Sequence, residues 1–316
     1  MEPPRNVTAT AQHLRVALVQ TKPLKGRYAE NLAAIQSAFA QIATNVDLVV
    51  LPEAALSGYF LEGAVYEVAL PAQRFAEDLA RAWKAACGDR RVDLVCGFFE
   101  NSEGTYYNSA VYLEIERGKA RIVHVHRKMF LPTYGVFDEG RFLSRGRRLQ
   151  VFPTRFGTMA LLICEDIWHA IVPTIAAIKG ARILLVPSAA PGRGVESSGE
   201  LGSILRWREI LTITASEHGV FILYAGLTGF EGGKGMTGSS CAIDPRGEVL
   251  VSAPATEPCI LLADLDLREI DIARASLPLL GDLEAVLSDL LLDEELPLPR
   301  TARSPTCDRE RPDVPS

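Results

Sequence analysis

The sequence predicts an α/β protein with two stacked sheets and helices outside them, and three observations carry that expectation. Short apolar or β-branched runs alternate with longer stretches of helical spacing. Two of those runs, VDLVVLP (46–52) and TMALLIC (158–164), are apolar throughout, as strands covered on both faces are. An order of strand, helix, strand and hairpin, then strand, helix, strand again, proceeds with no long linker, low-complexity stretch or exact internal repeat.

Residues 1–13 are Pro-rich, polar and aperiodic, so a flexible arm is expected there. LRVALVQ (14–20) has the β-branched content of a strand. Leu32, Ile35, Phe39 and Ile42 place one apolar stripe on a helix over 27–43. VDLVVLP is the next strand, and Phe75, Leu79 and Trp83 give a helix over 71–87 its buried face. RVDLVCGFFE (91–100) is a strand, and 105–128 reads as two strands around Arg117-Gly118. TMALLIC leads to a helix near 172–180, the strand ARILLVPS (181–188) and a helix over 201–218. VFILYAG, SSCAIDP and CILLADLD are later strands, and residues 282–295 alternate Leu with acids as a solvated amphipathic helix does. Beyond 298 periodicity stops, so a single domain over 14–298 and a disordered tail over 299–316 are expected.

Composition removes several function classes. The chain of 316 residues is 48% hydrophobic and 23% charged, with a formal net charge of −6. That balance offers no basic face for nucleic acid or an anionic membrane. No apolar run reaches membrane-spanning length, and the first ten residues hold no apolar core of signal length. A reducing cytoplasm with free thiols is therefore the expectation for the six cysteines. No CxxC pair or His/Cys cluster occurs, so neither metal nor cofactor is expected. The GxGxxG string at Gly233–Gly238 precedes a strand rather than a helix and reads as a flexible turn. His124 and His126 lack a third ligand at suitable spacing, and His169 reads as part of a helix start rather than of a Cys-His dyad.

Three strands end in a reactive side chain: Glu53 after VDLVVLP, Lys128 after ARIVHVHR and Cys164 after TMALLI. Singly, these read as a helix cap, a surface lysine and a small buried apolar group. Gathered at strand ends, where α/β sites form, they would supply a base, an oxyanion stabiliser and a nucleophile. A nearby ammonium is expected to favour the Cys164 thiolate.

The segments LVVLPEAALSGY, HRKMFLPTYGVFDEGRFL and LLICEDIWHA resemble the three active-site blocks of the nitrilase (carbon–nitrogen hydrolase) superfamily. The resemblance continues through RWREILTITASEHGVFILYAGLTG and GMTGSSCAIDPRGEVL and covers about residues 14–270. It implies a four-layer α-β-β-α sandwich and a Glu-Lys-Cys triad of Glu53, Lys128 and Cys164 that cleaves non-peptide C–N bonds through a thioester. It further implies Glu139 as a second glutamate and Tyr59 as an aromatic neighbour of the site. Assembly as a homodimer or larger is implied too, with the helix near 172–180 and the C-terminal segment as interface candidates.

CEDxW at Cys164–Trp168, with LPTYGVFDEGRF, looks like the glutaminase domain of glutamine-dependent NAD synthetases. By that likeness Glu165 would bind a substrate α-amino group, and Tyr134 and Trp168 would line the pocket. The loop after SAAPGRG (188–194) departs from that pattern, and no synthetase domain follows. The expectation is a stand-alone amidase releasing ammonia from a small amide. The alternatives are a nitrilase, an N-carbamoyl amino acid hydrolase, a glutaminase subunit of a separate synthetase, or a non-catalytic oligomeric scaffold.

Overall fold

The computed structural model describes residues 11–42, 45–194 and 201–292. In chain order, β1 (His13–Gln20), α1 (Tyr28–Phe39), β2 (Leu48–Val50), the single turn α2 (Val65–Val68), α3 (Ala72–Cys87), β3 (Val92–Ser102), β4 (Thr105–Glu116) and β5 (Lys119–Arg127) form a first half. The short helical turn α4 (Glu139–Phe142) leads to β6 (Val151–Thr154), β7 (Gly157–Leu161), α5 (Ile171–Ile178), β8 (Ile183–Ser188), α6 (Gly202–His218) and β9 (Phe221–Gly226). The hairpin β10 (Thr228–Glu231) and β11 (Lys234–Thr237) precedes β12 (Cys241–Ile243), β13 (Val249–Ser252), β14 (Cys259–Asp266), α7 (Glu269–Ser276) and α8 (Leu279–Leu291).

The strands make two six-stranded sheets, in the orders β14-β1-β2-β3-β4-β5 and β13-β12-β9-β8-β7-β6. In each, three central strands are parallel and their outer neighbours antiparallel. Period-two alternation along β1 divides the core. Leu14, Val16 and Leu18 face the second sheet, while Ala17 and Val19 face α1 and α3. Helices α5 and α6 contribute Val172, Ala176, Trp207 and Leu211 to the core around the second sheet. This is the four-layer sandwich. Trp83 shows what holds the first helical layer. Fully buried, it meets Phe39 edge-on at 5.1 Å and donates its indole N–H to the Arg90 carbonyl at 2.8 Å. Truncating such a side chain to Ala typically costs about 3–5 kcal/mol.

Most expected elements form within a few residues of their expected limits. The turn between β4 and β5 does sit at Arg117-Gly118, whose φ values of 52° and 73° suit a type I′ turn. The first helix ends at Phe39, earlier than expected, with Ile42 still buried on the turn beyond it. The GxGxxG segment is a correction. Gly232 and Gly233 make a turn with φ of 56° and 80°, and Lys234–Thr237 then pairs with β10 as a strand. Residues up to Leu280 form one compact unit; Gly281 begins a second, whose described part completes and ends α8. Residues 1–10 of the expected arm, the end of the expected acidic helix and the whole 299–316 tail lie outside the described residues. The five described cysteines are free thiols, and no described helix is long and apolar enough to cross a membrane.

Candidate active site

Beyond β2 the chain runs through Leu51 and Pro52 to Glu53, and Ala54 then turns it sharply with a left-handed φ of 50°. The turn lies directly on β3: a Cβ at Gly97 would sit 2.4 Å from Glu53 Cα, so only glycine fits there. Glu53 is fully buried and its carboxylate is fully bonded. Oε1 accepts from Asn108 Nδ2 at 2.7 Å and from Lys128 Nζ at 2.8 Å, and Oε2 accepts from the Ala189 backbone N–H at 2.7 Å.

Lys128 follows β5, with its N–H bonded to the Asn108 carbonyl at 2.8 Å. It too is buried, and Nζ bridges Glu53 Oε1 and Glu139 Oε1, the latter at 2.7 Å. Burial alone would push its charge off. Glu139, Glu53 and Cys164 outweigh that, so the ammonium is held well above its ordinary pKa. The Tyr59 ring lies 5.5 Å from Nζ, and the Tyr59 hydroxyl makes a short hydrogen bond to Glu139 Oε1. Burial pushes the Glu139 carboxyl up to about 7; Lys128 opposes that and Glu53 adds to it. Among the described residues Glu139 Oε2 has no hydrogen-bond partner.

Cys164 comes from the other sheet, three residues beyond β7. It opens a 3₁₀ turn, Cys164–Trp168, and takes a φ of 45°, a conformation that costs a non-glycine residue about 1–2 kcal/mol. Cys164 is buried. Burial pushes its pKa well up and Glu53 pushes the same way. Lys128, the Ser188 hydroxyl and the Ala189 N–H oppose them without prevailing. Desolvation and the Glu53 carboxylate therefore disfavour the thiolate more than Lys128 favours it.

A residue the sequence reading missed joins the two sheets here. Asp166 is fully buried, and its Oδ1 accepts the N–H groups of Met129 (3.0 Å) and Phe130 (3.1 Å), just past Lys128. Its Oδ2 accepts the Ile163 N–H at 3.0 Å and meets His126 Nε2 at 2.8 Å. One carboxylate therefore fastens the turn that carries Cys164 to the segment that carries Lys128. Asn108 and the Ala189 N–H were missed too. The acid two places after Cys164 was the available signal for Asp166. The other two become visible only when the sheets are brought together.

At the mouth, the Tyr134 hydroxyl donates to Glu165 Oε2 at 2.9 Å, and the Arg193 guanidinium lies 5.3 Å from the Tyr134 ring. Trp168 sets its ring edge-on against Trp207 at 5.3 Å. His169 stacks on Phe130, with ring centroids 3.7 Å apart, and lies 3.8 Å from Glu165. The structure thus gathers Glu53, Lys128, Glu139 and Tyr59 in direct contact, with Cys164 in their field. Tyr134 and Glu165 form a separate pair.

The carbon–nitrogen hydrolase family matches residues 15–275. The chain is similar to the glutamine-dependent NAD(+) synthetase of Thermotoga maritima, 30% identical over 261 residues that span 82% of this chain and 43% of that protein. It therefore covers less than half the length of that relative. Similarity to the citrullinase of Francisella tularensis, 26% over 270 residues, spans 83% of this chain and 92% of that one. A crystal structure of a carbon–nitrogen hydrolase from Helicobacter pylori G27 superposes with a TM-score of 0.73 at 27% identity, over 88% of this chain and 98% of that one.

Proposed function

Because the chain belongs to the carbon–nitrogen hydrolase family, we propose that it is an amidase that releases ammonia from a small amide through a thioester on Cys164. The observation that carries this reading is the buried ion pair of Glu53 and Lys128, 2.8 Å apart and within the field of the thiol. A thiol held neutral by burial is a weak nucleophile until a base removes its proton. Glu53 is that base. The thiolate attacks the amide carbon, and Lys128 with the Glu165 N–H holds the developing oxyanion. Preorganised donors of this kind are commonly worth about 3–4 kcal/mol each. Glu53 returns the proton to the departing ammonia and then activates the water that cleaves the thioester. Glu139, sharing Lys128 with Glu53, keeps the ammonium aimed and charged.

A more specific reading concerns the substrate. The Tyr134–Glu165 pair offers a carboxylate at the mouth, beside the nucleophile turn, and a substrate with an α-ammonium group would meet it there. Both the NAD synthetase and the citrullinase among the relatives bear on this: glutamine and citrulline share an α-amino acid head and carry their C–N bond at the far end. Assembly through α5 is supported by the exposure of Ile171 and Ile175, and a monomer in light scattering would remove it.

Ammonia release from glutamine, asparagine, citrulline, aliphatic amides, N-carbamoyl amino acids and nitriles tests the reading, with wild type beside Cys164→Ala. Amide turnover that vanishes in the variant is expected. Turnover confined to nitriles or to N-carbamoyl amino acids carbamoylated at the α-nitrogen reassigns the branch, and activity that survives in Cys164→Ala removes the mechanism.

A further inference from the structure

We propose that a basic cleft at the β5 edge of the first sheet binds a small phosphate-bearing anion. The cleft has a volume of about 370 Å³ and is lined by Arg127, Arg145, Arg147 and Arg148 against one carboxylate, Glu100. In a chain of net charge −6 this is a local reversal of sign.

The four arginines are not equivalent. Arg127 is committed: its guanidinium bonds Glu100 at 2.8 and 2.7 Å and lies 3.9 Å from the Tyr107 ring. Glu100 is thereby neutralised, and it also accepts the Ser109 hydroxyl at 2.7 Å. Arg145, Arg147 and Arg148 are exposed and have no hydrogen-bond or ion-pair partner among the described residues. Three unpaired like charges within four residues repel one another, and an anion placed between them relieves that.

The segment is also held in place. Leu143 and Leu149 are buried at its two ends. In its middle the Gly146 N–H donates to the Lys128 carbonyl at 2.7 Å, and a Cβ at Gly146 would lie 2.0 Å from the Arg127 carbonyl oxygen. The backbone that carries Arg145, Arg147 and Arg148 is therefore fastened to the sheet edge at Gly146. A planar guanidinium fork matches two phosphate oxygens at once, which favours phosphate over a point-charge anion. The volume suits a small ligand. Farther along the same edge the cations are interrupted by Glu114 and Glu116, with Arg91 and Arg121 paired to Glu114, so the unpaired charge does not extend into the longer basic stripe that a nucleic-acid backbone needs. Through Gly146, an occupied cleft also touches the backbone of Lys128, so occupancy should shift the kinetics of whatever amide the site cleaves.

Isothermal titration at constant ionic strength tests this, with inorganic pyrophosphate and ATP as probes. Saturable binding is expected in wild type, weakened by at least about tenfold in Arg147→Ala/Arg148→Ala. Arg148→Ala alone serves if the double variant does not fold. Absence of saturable heat with both probes overturns the proposal. So does equal binding by the variants, or binding of hexaglutamate as tight as that of pyrophosphate. The binding readout is independent of amide hydrolysis, so it stands or falls apart from the reaction on Cys164.

Discussion

The two halves of the sandwich share one plan and use it differently. β1-α1-β2-α3-β3-β4-β5 and β7-α5-β8-α6-β9-β12-β13 have the same order of helices, parallel strands and antiparallel outer strands, each with one further strand, β14 or β6, on the other edge. After the first strand of the second half comes Cys164. At the matching corner of the first half stands Gln20, buried and bonded to the Pro254 and Glu257 carbonyls, each at 2.7 Å, and to Ser240. After the second strand of the first half comes Glu53; after that of the second half comes Ala189, whose N–H bonds Glu53. The topology supplies corners, and the side chain placed there decides between chemistry and glue. The first half and the segment that directly follows β5 hold Glu53, Lys128 and Glu139. The second holds the thiol. Neither half contains a site until the sheets pack.

The division can be broken at either side. Cys164→Ala should produce the largest effect, a rate loss on the order of 10⁵–10⁶-fold with the fold intact by circular dichroism, since the charges belong to the other sheet. Glu53→Gln removes the proposed base and should lower kcat by about 10²–10⁴-fold, with KM for the same amide little changed. Lys128→Met attacks the first half's charge balance. It leaves two buried carboxylates sharing no cation, so urea unfolding should show a loss of about 3–5 kcal/mol as well as lost activity. Asp166→Asn loosens the tie between the halves by replacing one carboxylate oxygen with an amide NH2, which sets a donor against either the Met129 and Phe130 N–H groups or that of Ile163. A loss of about 1–3 kcal/mol in the same unfolding measurement is expected, with a fall in kcat that Asp166→Glu partly restores. The subtlest test uses pH. Glu139 carries a folded pKa of about 7 against an ordinary 4.5, so its contribution to stability is complete below 4.5 and is lost as pH rises through about 7. Glu139→Gln should flatten the stability-versus-pH curve across that window, and an unchanged slope would mean that another group titrates there.

The fold and the three reactive residues were legible because each rests on local pattern. An apolar strand that ends in Glu53, Lys128 or Cys164 can be read from a dozen residues. Asp166 was not legible, because an acid at the third place of a helical turn reads as a cap, and only packing shows that it accepts from Met129 and Phe130. How strongly burial disfavours the Cys164 thiolate was not legible, because sequence reveals which partners are near and not how much water is removed. Tyr134 and Trp168 were grouped as pocket walls. The contacts of Tyr134 with Glu165 and of Trp168 with Trp207 on α6 depend on packing that the sequence does not show.

The left-handed backbone at Cys164 has one more consequence. A residue with a Cβ at φ 45° is a standing cost to folding, and glycine would remove it. Cys164→Gly should therefore melt at a higher temperature than Cys164→Ala. Cysteine at this position therefore works against the preference of its own backbone, and the difference in melting temperature between Cys164→Gly and Cys164→Ala measures that opposition.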